Sequence, residues 1–87
     1  MNTVTIYTKD YCGFCAAAKS LLRDKGVAFT EIDVTYDAAL EAEMIERSGR
    51  RTVPQTFVGN RHVGGSDDLA ALDAMGALDR LLGRAAA

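Results

Sequence analysis

The sequence is poor in several residue types, and most of these shortages exclude a class of protein. It has one proline and no tryptophan, and no apolar run approaches the ~20 residues of a membrane-spanning helix. Ten Lys and Arg against twelve Asp and Glu give a net charge of −2, which leaves no basic surplus for nucleic acid or an anionic membrane surface. The first residues lack the basic and long apolar regions of a signal peptide. We therefore expect neither a nucleic-acid partner nor a membrane location.

Cysteine is also scarce, but the two cysteines lie close together as Cys12 and Cys15. Secreted mini-proteins spread several cysteines along the chain to connect distant segments. A disulfide between these two would close a loop so small that loop entropy contributes roughly 2 kcal/mol, against about 4.7 kcal/mol for a 100-residue loop. The pair is therefore typical of redox or metal-binding chemistry in a reducing compartment, and we expect a cytoplasmic protein.

The remaining composition is that of one small globular domain. Hydrophobic residues make up 48% of the 87 residues and charged residues 25%, a mixture that excludes intrinsic disorder. A chain of this length supports a single two-layer core. We predict one domain over residues 1–83 and a disordered tail over 84–87.

Strand and helix patterns alternate along the first half of the chain. The segments 3–8 and 27–34 are rich in β-branched and aromatic residues and predict two strands. Between them, apolar residues recur at helical spacing and predict the buried face of a helix that ends near Gly26. The residues of that face are Phe14, Ala17, Ala18, Leu21 and Leu22. A second helix is predicted from a cap at Asp37 to a stop at Gly49.

The second half adds a hairpin and a last helical region. Pro54 interrupts the helical pattern because it cannot continue a helix. The segments 55–58 and 61–63 flank a two-residue Gly-Asn turn signal, and Ser66 opens a helical region that Gly76 interrupts. The element order is β-α-β-α-β-β-α. Because a β-α-β unit gives parallel strands and a hairpin antiparallel ones, we predict an α/β fold with a four-stranded mixed sheet flanked by helices.

Cys12 falls at the amino terminus of the first predicted helix, where unpaired N–H groups and the helix dipole favour a negative charge. Since the thiolate is the reactive form of cysteine, this position predicts a lowered pKa for the Cys12 thiol. Lys9 adds positive charge nearby, and Lys19 is a weaker candidate for the same effect. Cys15 lies one turn further along the helix and is expected to be less exposed. We therefore predict Cys12 as the nucleophile and Cys15 as the resolving thiol.

Two other uses of the cysteine pair have less support. A structural zinc site needs four ligands, usually Cys or His, but the chain has two Cys and a single His, His62. We predict His62 as an exposed strand residue without a role, and we predict no zinc site. A purely structural disulfide would contribute little, because the loop it closes is so short.

Three motifs in this order and spacing resemble the glutaredoxin family. They are Tyr11-Cys12-Gly13-Phe14-Cys15, Thr52-Val53-Pro54-Gln55 and Gly64-Gly65-Ser66-Asp67-Asp68-Leu69, and the resemblance extends from about residue 3 to residue 83. It implies a thioredoxin fold, a cis peptide bond before Pro54, and a glutathione-dependent thiol–disulfide oxidoreductase. The implied substrates are protein disulfides and glutathionylated proteins, with glutathione as reductant. We expect a monomer.

The resemblance also implies a glutathione site. The Val53 backbone could pair with the cysteinyl part as a short antiparallel strand. Ser66, at a helix start, suits the γ-glutamyl carboxylate, and Asp67 suits its ammonium. Lys9 is the first candidate for the glycyl carboxylate, with Arg47 and Arg51 as weaker ones. The full predicted set is Lys9, Tyr11, Phe14, Thr52, Val53, Pro54, Gly65, Ser66 and Asp67.

Several of these residues also have ordinary structural interpretations. Ser66 and Asp67 could be only a helix cap and a partner for the helix dipole. Phe14 heads the apolar face of the first helix and could belong partly to the core. Arg50 and Arg51 are expected to be solvated charges.

The sequence between the cysteines departs from the common family pattern. Dithiol glutaredoxins most often carry Pro-Tyr there, whereas Cys-Gly-Phe begins the monothiol motif, whose fourth position is Ser. Cys15, together with the lack of the monothiol insertion after Lys9, favours the short dithiol type. Gly13 leaves the helix start less rigid than proline would.

Gly13 is also the basis for a second candidate function. In this alternative, Cys12 and glutathione hold a [2Fe–2S] cluster between two subunits, as the softness of thiolate ligands allows, and the dimer acts as a cluster carrier or redox sensor. A third interpretation replaces glutathione with a thioredoxin-type reductase, but the Ser66-Asp67 feature argues against it.

Overall fold

The computed structural model describes residues 3–83, so the predicted disordered tail at 84–87 lies outside the described residues. Eight elements follow one another: β1 (Val4–Thr8), α1 (Gly13–Asp24), β2 (Phe29–Asp33), α2 (Ala38–Ser48), β3 (Gln55–Val58), β4 (Arg61–Gly64), α3 (Ser66–Ala74) and α4 (Ala77–Leu81). The predicted α/β class is confirmed. Within residues 3–83, no helix is both long and apolar enough to cross a membrane.

The four strands form one mixed sheet in the order β2-β1-β3-β4. β1 and β2 are parallel, with Thr8 opposite Asp33, whereas β3 runs antiparallel to β1, with Tyr7 opposite Gln55. β4 pairs antiparallel with β3, as the hairpin signal predicts. The antiparallel pairing brings the carboxyl end of β1 and the amino end of β3 to the same edge of the sheet. The loop before α1 therefore lies beside the segment that contains Pro54.

Two apolar clusters cover the two faces of the sheet. The larger one packs α1, α3 and α4 against β1 and β3 and consists of Val4, Ile6, Ala18, Leu22, Val27, Val58, Leu69, Leu78 and Leu82. The smaller one lies under α2 and consists of Tyr7, Val34, Met44 and Phe57. Because each face of the sheet is covered by helices, both cysteine-bearing and proline-bearing loops project from an ordered scaffold.

Local capping signals correctly located α2. The carboxylate of Asp37 accepts a hydrogen bond from the Leu40 N–H at 3.0 Å, which satisfies one unpaired donor of the first turn. Gly49 ends the helix in the left-handed conformation, with φ of +71°. Both were predicted from the sequence.

The predicted buried face of α1 is confirmed at Ala18 and Leu22 and wrong at Phe14 and Ala17. Cys15, Ala18 and Leu22 are buried, at spacing i, i+3, i+7, whereas Ala17 is exposed and Phe14 is 67% exposed. The sheet and α3 cover the row that contains Cys15, and Leu21 on the neighbouring row packs against its margin, whereas the first part of that neighbouring row faces outward. Phe14 therefore does not belong to the core.

Two element boundaries also differ from the prediction. β2 covers residues 29–33 instead of 27–34, because it pairs only with the five residues of β1. The last helical region, which the predicted element order counted as one helix, is two helices, α3 and α4. The predicted interruption at Gly76 is confirmed, since this residue adopts a φ of +74° between them.

Candidate active site

The Cys12 sulfur lies at the amino terminus of α1. Cys12 is the N-cap residue, with an extended backbone, and its Sγ accepts a hydrogen bond from the Cys15 N–H at 3.1 Å. A sulfur atom at this position faces the unpaired N–H groups and the positive end of the helix dipole. The same environment would stabilise a thiolate once the cysteine is reduced.

Cys12 and Cys15 form a disulfide whose Cα atoms are 5.2 Å apart. The two residues differ in accessibility, since Cys12 is half-buried and Cys15 is only 2% exposed. An external thiolate can therefore reach the sulfur of Cys12 more readily than that of Cys15. This difference supports the predicted division of roles between nucleophile and resolving thiol.

The Thr52-Val53-Pro54 segment lies next to the disulfide. The Val53–Pro54 peptide bond is cis, as the family resemblance implied. The Cys12 Sγ lies 3.9 Å from the Val53 carbonyl oxygen, with Val53 half-buried and Pro54 buried. The polar backbone of Val53 is thus within reach of any group bonded to the Cys12 sulfur.

The start of α3 adjoins the same segment, but its cap differs from the one predicted. Gly65 is the N-cap and Ser66 the first helical residue, so the interpretation of Ser66 as a cap is wrong. The Asp68 carboxylate accepts from the Gly65 N–H at 2.9 Å instead. A Cβ atom added to Gly65 would lie 3.5 Å from the Pro54 carbonyl oxygen, so α3 begins directly beside the segment that contains the cis-proline.

Arg50 contacts the same cap. Its guanidinium lies 2.8 Å from an Asp68 oxygen, so Arg50 is exposed, as predicted, but also has an ion-pair partner that the sequence did not indicate. The guanidinium, followed by the Gly65 N–H, lowers the pKa of the Asp68 carboxyl below its usual value. Asp67, by contrast, is exposed at the first turn of α3.

Two of the cations predicted for the glycyl carboxylate, Lys9 and Arg47, have protein partners. Lys9 forms an ion pair with Glu41 at the surface. Arg47 donates to the Tyr7 hydroxyl at 2.7 Å, and its guanidinium lies 4.2 Å from the centre of the Phe57 ring. Arg47 is therefore part of the packing under α2, whereas the Lys9 side chain keeps 36% exposure and could change partner.

The other two cations lie in different surroundings. Arg51 is exposed just before Thr52. Lys19 lies 3.0 Å from the Glu31 carboxylate on β2. A hydrogen bond from Thr8, then one from Lys19, lowers the pKa of Glu31.

Two aromatic side chains next to the cysteines are exposed to solvent. Tyr11 is fully exposed and adopts a left-handed backbone with φ of +55°, and Phe14 is two-thirds exposed. Exposed aromatic side chains beside a reactive sulfur are available to contact a substrate.

The family model for glutaredoxin matches residues 4–63, which include the cysteine pair and the cis-proline segment. This chain belongs to the glutaredoxin family. Over 82 residues it is 56% identical to Glutaredoxin 3 of Escherichia coli K12, covering 94% of this chain and 99% of that protein. It is therefore a dithiol glutaredoxin, a glutathione-dependent disulfide oxidoreductase.

Solved structures agree with this assignment. The solution structure of a glutaredoxin from Brucella melitensis has 52% identity and a TM-score of 0.84, covering 99% of this chain and 96% of that one. A buckwheat glutaredoxin–glutathione complex has 30% identity and a TM-score of 0.85, covering 94% and 77%. The thioredoxin fold expected from the sequence is confirmed.

The environment of one further side chain, His62, was predicted wrongly. His62, predicted to be exposed, is half-buried, with its Nε2 2.6 Å from the Gln55 Oε1 and its ring 5.1 Å from that of Phe57. Burial, followed by the nearby Arg50, lowers the pKa of His62. The prediction failed because a lone histidine in a strand pattern does not reveal which partner the sheet places beside it.

Proposed function

We propose that this glutaredoxin reduces glutathione mixed disulfides and protein disulfides through Cys12, with Cys15 as the resolving thiol. The observation that carries the proposal is the placement of the Cys12 sulfur: it is accessible, receives the Cys15 N–H and lies 3.9 Å from the Val53 carbonyl oxygen. Cys15, at 2% exposure, can be reached only from within the molecule.

With a glutathione mixed disulfide, the Cys12 thiolate attacks the glutathione sulfur. The substrate thiolate leaves and takes a proton from solvent, while Cys12 becomes disulfide-bonded to glutathione. A second glutathione thiolate then attacks the glutathione sulfur of that disulfide, forming oxidised glutathione and releasing the Cys12 thiolate. The Cys15 N–H stabilises this leaving thiolate because it already points at the Cys12 sulfur.

With a protein disulfide, the Cys12 thiolate attacks one substrate sulfur and displaces the other as a thiol. The Cys15 thiolate then attacks Cys12, which releases the second substrate thiol and closes the Cys12–Cys15 disulfide. Two glutathione molecules reopen that bond in sequence and leave as oxidised glutathione.

We propose that glutathione binds across three adjoining segments: the loop at Cys12, the segment that contains Val53 and Pro54, and the start of α3. Its cysteinyl part pairs with the Val53 backbone, and its γ-glutamyl carboxylate lies at the start of α3, near Ser66. The full set is the one predicted from the sequence: Lys9, Tyr11, Phe14, Thr52, Val53, Pro54, Gly65, Ser66 and Asp67. The short approach between Gly65 and the Pro54 carbonyl supports this, since it joins two of the segments. The buckwheat relative, of similar fold, is a glutathione complex.

For the glycyl carboxylate, we propose Lys9 as the cation that contacts it. The ammonium would exchange its surface partner Glu41 for the ligand. Exchange costs little because exposed ion pairs contribute about 0–1 kcal/mol. Arg47 is less suited, since leaving its position would give up both the Tyr7 hydroxyl and the Phe57 ring.

Turnover of a glutathionylated peptide with glutathione as electron source tests the cysteine roles. We expect the wild type and Cys15→Ser to be active and Cys12→Ser to be inactive. On a protein disulfide, Cys15→Ser should lose most of its activity because no internal thiol resolves the mixed disulfide. Activity of Cys12→Ser on the glutathionylated peptide would refute the assignment.

We further propose a monomer that acts in the cytoplasm. A reductase that draws electrons from glutathione needs the reducing glutathione pool of that compartment. A single chain contains both thiols and all three segments of the site. Size-exclusion chromatography of the reduced protein should give a single species of about 9.3 kDa.

The cluster-binding alternative has one supporting observation. A Cβ atom built on Gly13 meets no atom within 4 Å, so there is open space next to Cys12. Within residues 3–83, no group of three His, Cys, Asp or Glu side chains is placed to hold a metal, so ligands from a second chain and glutathione would be required. Protein purified without oxygen in the presence of glutathione should then be coloured and dimeric, and Gly13→Pro should be colourless. A colourless monomer after reconstitution would exclude this function.

A further inference from the structure

A chain of side-chain hydrogen bonds runs from β4 to the loop beside Cys12. Gln55, the first residue of β3, is fully buried, and its Oε1 lies 2.6 Å from the Nε2 of His62 on β4. Its Nε2 donates to the Thr52 carbonyl at 3.0 Å and lies 3.2 Å from the Thr52 hydroxyl. The side chain of Gln55 therefore bridges a strand residue and the segment that precedes Val53.

The directions of these hydrogen bonds follow from the chemistry of the groups. The Thr52 carbonyl can only accept, so the amide nitrogen of Gln55 must face it. The amide oxygen then faces His62 and can only accept, which requires the proton of His62 to be on Nε2. Each group thus has one role, and the Thr52 acceptor and the His62 donor together fix the direction of the buried amide.

The histidine is itself held in place. Its ring packs against Phe57, with centroids 5.1 Å apart, and Phe57 lies opposite His62 in the β3–β4 register. If the donor were lost, the Gln55 oxygen would be buried without a partner, an arrangement that a protein avoids by moving the side chain. Rotation of the Gln55 amide would release the Thr52 carbonyl and the turn that carries Val53.

We propose that His62 and Gln55 are positioning residues that hold the Thr52-Val53 backbone in the orientation that binds the glutathione part of the substrate. The inference rests on the proposed function, because it assumes that glutathione pairs with Val53. Neither side chain touches the reacting sulfur atoms in this scheme, so their effect should be on substrate binding and not on the reactivity of Cys12.

The test compares His62→Phe, which keeps the ring packing but removes the donor, with His62→Gln, whose amide can supply a donor near the same position. We expect His62→Phe to raise the KM for a glutathionylated peptide roughly three- to tenfold, the range that one hydrogen bond accounts for. The kcat should change less than twofold. The rate at which iodoacetamide alkylates Cys12 should also stay within twofold, since alkylation uses no glutathione contact. His62→Gln should restore most of the KM.

Val4→Ala is the matched control. Val4 is buried at the end of β1 that lies away from Cys12, so this variant loses stability without disturbing the Gln55 contacts. Its KM should stay near that of the wild type. Gln55→Met removes the amide that connects His62 to Thr52. The KM of the double variant with His62→Phe should therefore be no higher than the KM of Gln55→Met alone.

Several outcomes would overturn the inference. They are an unchanged KM in His62→Phe, an equal rise in Val4→Ala, no recovery in His62→Gln, or a loss confined to the alkylation rate. If Gln55→Met fails to fold, the two His62 variants and the Val4→Ala control still test the role of His62. Failure of the wild type to turn over the glutathionylated peptide would instead refute the proposed function, so the two failures are distinguishable.

Discussion

Replacing Gly64 with alanine should destabilise the protein at the point where β4 leads into α3. Gly64 has a φ of +118°, outside the conformations that residues with a Cβ atom readily adopt. A Cβ atom there would lie 2.3 Å from the Oδ2 of Asp68. That oxygen accepts both the Gly65 N–H and the Arg50 guanidinium, so the new methyl group would displace the acceptor that caps α3.

The expected loss in the free energy of unfolding is about 3 kcal/mol. The backbone conformation alone costs about 1–3 kcal/mol for a residue other than glycine. Movement of Asp68 adds the loss of a helix cap, about 1 kcal/mol. The ion pair with Arg50 adds little, because the Asp68 side chain is 44% exposed and exposed pairs contribute at most about 1 kcal/mol. For a domain of this size, such a change lowers the Tm by about 10–25 °C.

Urea unfolding followed by circular dichroism measures this loss, with Gly65→Ala as the neighbouring control. Gly65 has a φ of −83°, and its added Cβ atom would be no closer than 3.5 Å to any atom. The control should therefore lose less than about 1 kcal/mol. In an Asp68→Ala background, the clashing carboxylate is absent. Gly64→Ala should then lower the free energy of unfolding only by the contribution of the backbone conformation. A Gly64→Ala protein within about 0.5 kcal/mol of wild type would refute the reasoning.

Three further predictions concern charge and substrate contact. In Cys15→Ser, the pH dependence of the alkylation rate gives the pKa of the Cys12 thiol. This pKa should lie below the value of about 8.5 for a free thiol, because the sulfur lies at a helix amino terminus, and a midpoint at or above about 8.5 would contradict the prediction. The Asp68 pKa is lowered in the folded protein, so its contribution should be present above about pH 4 and vanish as the pH falls through its folded pKa. The stability difference between wild type and Asp68→Asn should accordingly shrink between pH 7 and pH 2, and a constant difference would exclude the effect. Phe14→Ala should leave stability within about 0.5 kcal/mol but raise the KM for a glutathionylated peptide; an unchanged KM would remove Phe14 from the site.

Features that depend on neighbours in sequence were predictable. The Asp37 cap, the Gly49 stop and the hairpin after β3 each use residue types whose backbone preferences act over a few positions. The position of the cysteine pair at a helix start follows from the same kind of local signal, and it already indicates redox chemistry.

Contacts between distant segments were not predictable in this way. Arg47 binds Tyr7 across 40 positions, and Arg50 pairs with Asp68 across 18. Nothing in the local sequence around either arginine indicates these partners. Arg47 was therefore predicted as a weaker candidate for the glycyl carboxylate, and Arg50 as a solvated charge. Only the sheet order and the packing of α2 and α3 bring the groups together.

The sequence by itself determined the element order, the helix and turn boundaries to within a few residues, and the chemistry available at Cys12. Tertiary structure decided which apolar row of α1 is buried, which acid caps α3, and that His62 reaches Gln55 instead of solvent. Periodicity, capping and turn formation arise from interactions along the chain and are visible in a string of residues. Burial and hydrogen-bond partners depend on which surfaces meet in space, and that is settled only when the sheet and helices pack together.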